Sequence, residues 1–441
     1  MPDLKADKLV ADQLIKCNKC GFCLQNCPTY RATRMEGYVA RGRNTYVKDI
    51  LEGTLELEEP LRDPLFECLL CGACTQACLT KVKTDEVMVR AREAWHGKHG
   101  QPAIQKFIFN DLLPYPDRMT RIMRLLSLGK RTGMADLAQR LGVLRWINAR
   151  LEGAAGLVET MPKAFLRDRL ARIGFTKLRD PDIGDVWTLA RPPDAPVGPR
   201  VLAFIGCGTN YQLPRTGEAA MRLMSLGGCE VVVAENVCCG LPAYAYGDRT
   251  SARALARKNL DLLTKLRFDY IATDCGSCSS FIKKYPVLLE EDPEYSAAAA
   301  RLGAQARDFS EVLVELKLPQ AKSGMPVTYH DPCHMVRGQG LAAEPRKLLT
   351  DIAGVQLRPL KESDWCCGGA GSYNFMHPEL SLQVLDRKMA RVGETEAPIL
   401  ATSCPSCIIQ LAFGARRSGL KVQVKHVAEV LAEGLKLELG D

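Results

Sequence analysis

The second half of the chain alternates short apolar runs with amphipathic stretches. Arg200–Ile205, Glu230–Ala234 and Tyr270–Thr273 are rich in β-branched and aliphatic residues and read as strands. Between them, Pro214–Leu226 and Ala252–Leu266 carry the spacing of helices. The pattern returns at Val327–His330, Val355–Leu360 and Ile399–Thr402. Strands separated by helical stretches predict parallel β-α-β units. Residues 101–198 look helical: Met119, Ile122, Met123 and Leu126 fall at i, i+3, i+4 and i+7, with Arg118, Arg121 and Arg124 interleaved. Asp180–Arg200, with five prolines, reads as a linker.

Cysteine positions sharpen this outline. Of nineteen, eight lie between Cys17 and Cys78, none in 79–206, and eleven between Cys207 and Cys407. Cys207, Cys238, Cys239, Cys275 and Cys278 form one set; Cys333, Cys366, Cys367, Cys404 and Cys407 form another. The two sets are offset by 126 to 129 residues, and Phe309-Ser-Glu-Val-Leu313 resembles Val427-Ala-Glu-Val-Leu431, which marks a tandem duplication of domain size. Each set follows the predicted strands, so its five thiols converge on the carboxyl edge of a sheet, where open α/β folds bind ligands.

Composition sets the context. With 441 residues, 46% apolar and 25% charged, the chain has room for several soluble domains. No run approaches the length of a membrane span, and Met1–Ile15 mixes Asp3, Lys5, Asp7 and Lys8 into its apolar residues, unlike a signal peptide. The expectation is a cytoplasmic protein, with peripheral contact to the inner face of the cytoplasmic membrane as an option. In that compartment dense cysteine points to metal or catalysis rather than disulfides. The net charge of +8 decides nothing alone.

Cys17-x2-Cys20-x2-Cys23-x3-Cys27-Pro28 and Cys68-x2-Cys71-x2-Cys74-x3-Cys78 have the spacing of the bacterial ferredoxin run, in which three thiolates hold one cluster and the fourth reaches the other. This assigns Cys17, Cys20, Cys23 and Cys78 to one [4Fe–4S] cubane and Cys68, Cys71, Cys74 and Cys27 to a second. Gly21 and Gly72 free the loop backbone. Leu79 departs from the proline that usually follows the fourth cysteine. Structural zinc, the competing use, takes its ligands in two pairs and suits a run of three poorly.

Cys238-Cys239-Gly240, Cys275-Gly-Ser-Cys278, Cys366-Cys367-Gly368-Gly369 and Cys404-Pro-Ser-Cys407 resemble the cysteine-rich CCG domain, present twice. This domain is shared by heterodisulfide reductase catalytic subunits and by iron–sulfur subunits of glycolate and lactate oxidoreductases. The order of parts, with Cys27-Pro-Thr-Tyr30, Ala40-Arg-Gly-Arg43 and Tyr329-His-Asp-Pro-Cys-His334, is similar to the glycolate oxidase iron–sulfur subunit family across nearly the whole chain. The resemblance implies a multidomain α+β protein. Its parts would be a helical dicluster ferredoxin domain (1–100), a helical insert and linker (101–198), and two tandem α/β CCG domains with small parallel sheets (199–320 and 321–441). It further implies that Cys207, Cys238, Cys239, Cys275 and Cys278, and Cys333, Cys366, Cys367, Cys404 and Cys407, hold one or two more iron–sulfur clusters, which can be non-cubane; zinc or plain buried thiols are the alternative.

The implied function is an electron-transfer subunit of a flavin-linked glycolate or lactate oxidoreductase. It would pass electrons from an FAD-linked oxidase or dehydrogenase partner to a quinone or an electron-transfer flavoprotein. The alternative is a heterodisulfide-reductase-like subunit that cleaves a disulfide at the CCG clusters. No dinucleotide fingerprint, phosphate loop, flavin motif or nucleic-acid module is present, which fits a wire rather than a complete enzyme. No catalytic residue is assigned. The ferredoxin domain and the basic segment Arg118–Arg150 are candidate docking surfaces, although Arg118–Arg124 also fits a solvated face. His330 and His334 flank Cys333 and are placed either to tune a cluster through hydrogen bonds or simply to anchor their loop. Gly368, Gly369 and Gly371 let backbone approach a cluster, and Cys229 lies outside both sets as a small buried hydrophobe.

Overall fold

The duplicated strand pattern resolves into two sheets of matching order. The computed structural model describes residues 4–134 and 160–440. The first sheet comprises β1 (Thr176–Asp180), β2 (Gly184–Leu189), β3 (Arg200–Ala203), β4 (Glu230–Val233), β5 (Tyr270–Thr273) and β6 (Ala306–Asp308), in the order β1-β2-β4-β3-β5-β6. The second comprises β7 (Pro326–Tyr329), β8 (Gln356–Arg358), β9 (Ile399–Thr402) and β10 (Gln423–His426), in the order β10-β9-β7-β8. Apart from the hairpin β1–β2, the two sheets share one topology, and every strand pair within that shared part is parallel. Val201, Leu202, Val231, Val232, Leu400 and Ala401 are all buried, as expected of strands covered by helices on both faces.

The hairpin corrects the linker reading of Asp180–Arg200. β1 and β2 pair antiparallel around Gly184, whose φ of +81° the turn requires, and β2 then pairs antiparallel with β4. Besides the hairpin turn at 181–183, the proline-bearing remainder, 190–199, runs without a strand. The cause is visible in burial: β1 is almost wholly exposed, so no apolar alternation announced it. Sequence reading also passed over β6 and β10, whose few residues include Arg307 and Lys425; both lead into helices capped from Asp308 and His426.

The amino-terminal part is helical. Lys8–Ile15 is capped by the Asp7 carboxylate, which accepts from Val10 N–H at 3.2 Å; Ala40–Glu52 ends at left-handed Gly53. With Thr84–His99 these helices bury Val10, Leu14, Val47, Leu65, Met88 and Trp95. The expected helix with Met119, Ile122 and Met123 on its inner side is present as Pro116–Arg131, but Leu126 is exposed and Ser127 is the buried member, donating to Pro162 C=O at 3.1 Å. The segment Arg118–Arg150 lies outside the described residues beyond Met134. Cys229 is fully buried in aliphatic surroundings, and burial pushes its thiol up to about 12, which fits its reading as a hydrophobe.

The ferredoxin part is locked onto both sheet domains. Buried Arg92 donates to Leu65, Phe66 and Cys68 carbonyls and to Ala245 of the first sheet domain. Glu86 takes Lys284 at 2.6 Å and the Tyr244 hydroxyl, and Glu93 takes Arg249 at 3.0 Å. The sheet domains meet through their cysteine-bearing loops. Gly276 N–H donates to Ser403 C=O at 3.0 Å, and a Cβ at Gly276 would stand 2.3 Å from Met335 Cγ. Gly276→Ala is therefore expected to cost about 1–3 kcal/mol by overpacking, read as a fall in thermal midpoint. Gly129→Ala, where an added Cβ meets nothing within 4 Å, is the control and should leave the midpoint unchanged or higher.

Candidate metal centres

The two ferredoxin runs repeat one backbone trace. Lys19 and Leu70, each just before the second cysteine of its run, have φ of 52° and 50°; Gly21 and Gly72, just after it, have φ of +89° and +70°. Non-glycine residues hold left-handed backbone at a cost. Its recurrence at matched positions shows two loops wound the same way. Cys27, Cys68, Cys71 and Cys74 line one small cavity together with Arg43 and Asp85. Arg43, 1% exposed, donates to Pro64 C=O at 2.6 Å and to Tyr38 C=O at 2.6 Å, leaving its Nη2 buried without a partner. Burial pushes the Cys71 thiol up to about 12, so in this pocket an ionised sulfur needs a cation.

The other quartet lies at the surface. Cys20 is exposed, and Cys17, Cys23 and Cys78 are partly so. Cys17 and Cys27 both act on the Cys23 thiol. Thr80 donates to Lys16 C=O at 2.9 Å, which ties the loop after Cys78 to the start of the first run. Against the upward push of burial, hydrogen bonds from Thr80, Val82 and Lys81 hold the Cys78 thiol below its ordinary value. Leu79, at the position that departs from proline, is 79% exposed.

In each sheet domain the five sequence-selected cysteines come together at the carboxyl edge. Thiol contacts run Cys207–Cys238–Cys239–Cys278–Cys275 in the first. In the second they run Cys333–Cys366–Cys367–Cys407–Cys404, with Cys367 and Cys407 sulfurs 3.5 Å apart. Cys275 and Cys404 also touch, so the ten thiols form one chain across the domain junction. Hydrogen bonds from Cys275 and Cys407 hold the Cys404 thiol well below its usual value, while hydrogen bonding and burial push Cys207, Cys333 and Cys407 well above. Gly368 and Gly369 N–H groups each point at a sulfur, of Cys366 and Cys367, at 3.4 Å, whereas Gly371 N–H donates to Ser406 Oγ at 3.0 Å.

A third junction joins the interior ferredoxin quartet to the second five. Cys71 acts electrostatically on both Cys333 and Cys366. Arg337 spans the gap, donating to Gln76 Oε1 at 2.8 Å, Cys71 C=O at 3.4 Å and Asp364 at 2.8 Å. Lys388, fully buried, donates to Glu362 and Ser363 carbonyls, and burial lowers its ammonium to about 8. Sequence reading missed Arg337, Lys388 and Arg92; Arg43 entered only as part of a matching string. Their signal is three-dimensional, a cation without exposure beside thiols. His334 reaches a thiol at one remove, through Ser277 at 3.1 Å to Cys404 at 3.5 Å. His330 lies with Cys367 and Cys407, ligand atoms within 4.8 Å of one another, and burial lowers its imidazole to about 3.

The donors fit iron–sulfur groups: soft thiols in sets of four and five, all but the surface quartet largely shielded from water, with buried guanidinium groups to offset negative charge. Residues 13–82 match the family described as a 4Fe-4S dicluster domain, residues 201–283 and 327–412 a cysteine-rich domain, and residues 100–158 the glycolate oxidase iron-sulfur subunit linker region. A probable glycolate oxidase iron-sulfur subunit of Bacillus subtilis is 34% identical, covering 97% of this chain and 95% of its own. The glycolate oxidase iron-sulfur subunit of Escherichia coli is 26% identical over 98% of this chain and 97% of its own. Lactate utilization protein A of Exiguobacterium is 31% identical, covering 54% of this chain and 99% of its own.

The separation of exposed and interior quartets has a spectroscopic consequence. In the full-length protein, Cys20→Ser is expected to remove or convert the surface centre alone and Cys71→Ser the interior one. EPR integration after reduction counts each. Loss of both signals in Cys20→Ser, or of neither in Cys71→Ser, contradicts the quartets.

Proposed function

The chain belongs to the family of glycolate oxidase iron–sulfur subunits, and on that premise we propose that it is the electron relay of a flavin-linked 2-hydroxy-acid oxidoreductase. Glycolate or lactate is the substrate class of the complex. The observation that carries this reading is the continuity of the thiol sets: a surface quartet, an interior quartet, and then two fives joined at Cys71–Cys333 and at Cys275–Cys404. Two [4Fe–4S] cubanes in the quartets and an iron–sulfur cluster in each five would supply one-electron carriers, into which a partner's two-electron flavin can discharge stepwise.

This chain's own residues set the path. Arg337 clamps the Cys71 loop to the second domain and stands beside Cys333 and Cys366 as a fixed positive charge. The Gly276–Ser403 hydrogen bond holds Cys275 against Cys404. Four cysteines of each five are buried, which keeps water from their sulfurs, while Cys207 and Cys333 are half-buried. The surface quartet is ringed by exposed Ile15, Phe22 and Leu79 with Lys16, Lys19 and Lys81, a face suited to an FAD-linked partner or to the acceptor, a quinone or an electron-transfer flavoprotein. No helix among the described residues is long and apolar enough to cross a membrane; the dense unpaired cysteine favours a reducing compartment, and we place the chain in the cytoplasm, with any membrane contact peripheral. The match of 100–158 to the linker region of glycolate oxidase subunits supports the relay over disulfide cleavage.

Purified with its clusters and without flavin, the chain should not oxidise glycolate or either lactate enantiomer with an artificial acceptor. Turnover should appear when an FAD-linked partner is added. Arg337→Leu should keep full iron yet slow reduction of the CCG centres by the ferredoxin centres, measured by stopped-flow absorbance, at least tenfold, an order-of-magnitude expectation for losing one fixed charge and clamp. Turnover by the chain alone overturns the relay.

A further inference from the structure

The two CCG sites share a topology and a cysteine pattern, yet one differs from the other by a side chain aimed at its sulfurs. β3 and β7 are equivalent central strands, and the residue after each is held by the same backbone bond: Phe204 N–H donates to Ala272 C=O at 2.8 Å, and His330 N–H to Ala401 C=O at 2.9 Å. Each stands three residues before the first cysteine of its set. The first repeat thus has a phenyl ring where the second has an imidazole.

Phe204 is an ordinary apolar filler, 3% exposed. His330 is 1% exposed, and neither of its ring nitrogens has a hydrogen-bond partner. An imidazole buried with both nitrogens unmet carries a desolvation penalty that native interiors rarely leave standing. One ring nitrogen lies within 4.8 Å of the sulfurs of both Cys367 and Cys407, which are themselves 3.5 Å apart. The ring thus sits beside the thiol set.

We propose that His330 gives a ring nitrogen to the metal centre of the second repeat, alongside Cys367 and Cys407, and that the first repeat, with Phe204, holds an all-sulfur centre. This rests on the reading that both sets bind iron–sulfur groups. Where that nitrogen takes a coordination position a thiolate would otherwise fill, it removes a negative charge from the centre and favours the reduced state, as where histidine replaces cysteine in other iron–sulfur proteins. The second centre is therefore the more easily reduced of the tandem pair, and the duplication has produced two unlike carriers.

The experiment uses full-length protein, produced anaerobically with 15N-histidine in an otherwise 14N background, and pulsed EPR of the partly reduced state with a redox titration. The wild type should show a strongly coupled 15N signal. His330→Phe, which copies the first repeat, should lose that signal and lower one midpoint potential, at unchanged iron or with iron lost only from the second set. His330→Cys should restore the iron without the nitrogen coupling. Full iron in the wild type with no 15N coupling, or coupling and potentials unchanged in His330→Phe, overturns the inference and leaves the relay standing. Absence of iron from the second set in the wild type overturns both.

Discussion

A thiol taken out of water is a poor anion, and this protein takes most of its cysteines out of water in contact with one another. Burial pushes the Cys71 thiol to about 12 and drives Cys74 upward; hydrogen bonding to neighbouring thiols, together with burial, drives Cys207, Cys278, Cys333 and Cys407 in the same direction. Such a cluster of sulfurs becomes a set of thiolates only when cationic metal compensates it. The fold therefore has to bring the sulfurs together, keep water out, and leave room for a group the chain itself does not supply. Arg43, Arg92 and Arg337, each tied down by carbonyl or carboxylate partners, provide fixed positive charge without filling that room.

Close backbone approach does the gathering. Gly276 lies against Met335 and Ser403, and a Cβ at Gly208 would stand 3.0 Å from Pro405. At these positions a glycine of one repeat lets its backbone come directly against a residue of the other. The consequence is functional, because the loops in contact carry Cys207, Cys275 and Cys404. The duplication thus does more than double a site: it sets two carboxyl edges face to face, so that ten thiols form one line.

Much of this was legible before any coordinates. Cysteine spacing marked the two ferredoxin runs, the constant offset marked the duplication, and short apolar runs located β3, β5, β7 and β9 to within a residue or two. What escaped were features without local signal. The hairpin β1–β2 is exposed and polar, and β6 and β10 are short and carry Arg307 and Lys425. The Cys275–Cys404 contact joins residues 129 positions apart in matched repeats, and Arg337 acts on a cysteine 266 positions away. The meaning of His330 depends on what its ring lacks and on the residue that replaces it in the other repeat. Pattern along the chain reveals donor sets; only packing reveals which sets are neighbours and which side chains tune them.

The relay proposed for this chain requires each of the four thiol sets to hold an iron–sulfur cluster. Metal and acid-labile sulfide analysis of the full-length protein, isolated anaerobically, tests it most directly. The account expects roughly sixteen irons per chain with matching sulfide and no stoichiometric zinc, as four four-iron centres require. About eight irons together with one or two zinc ions per chain would confine the relay to the ferredoxin part and contradict the account.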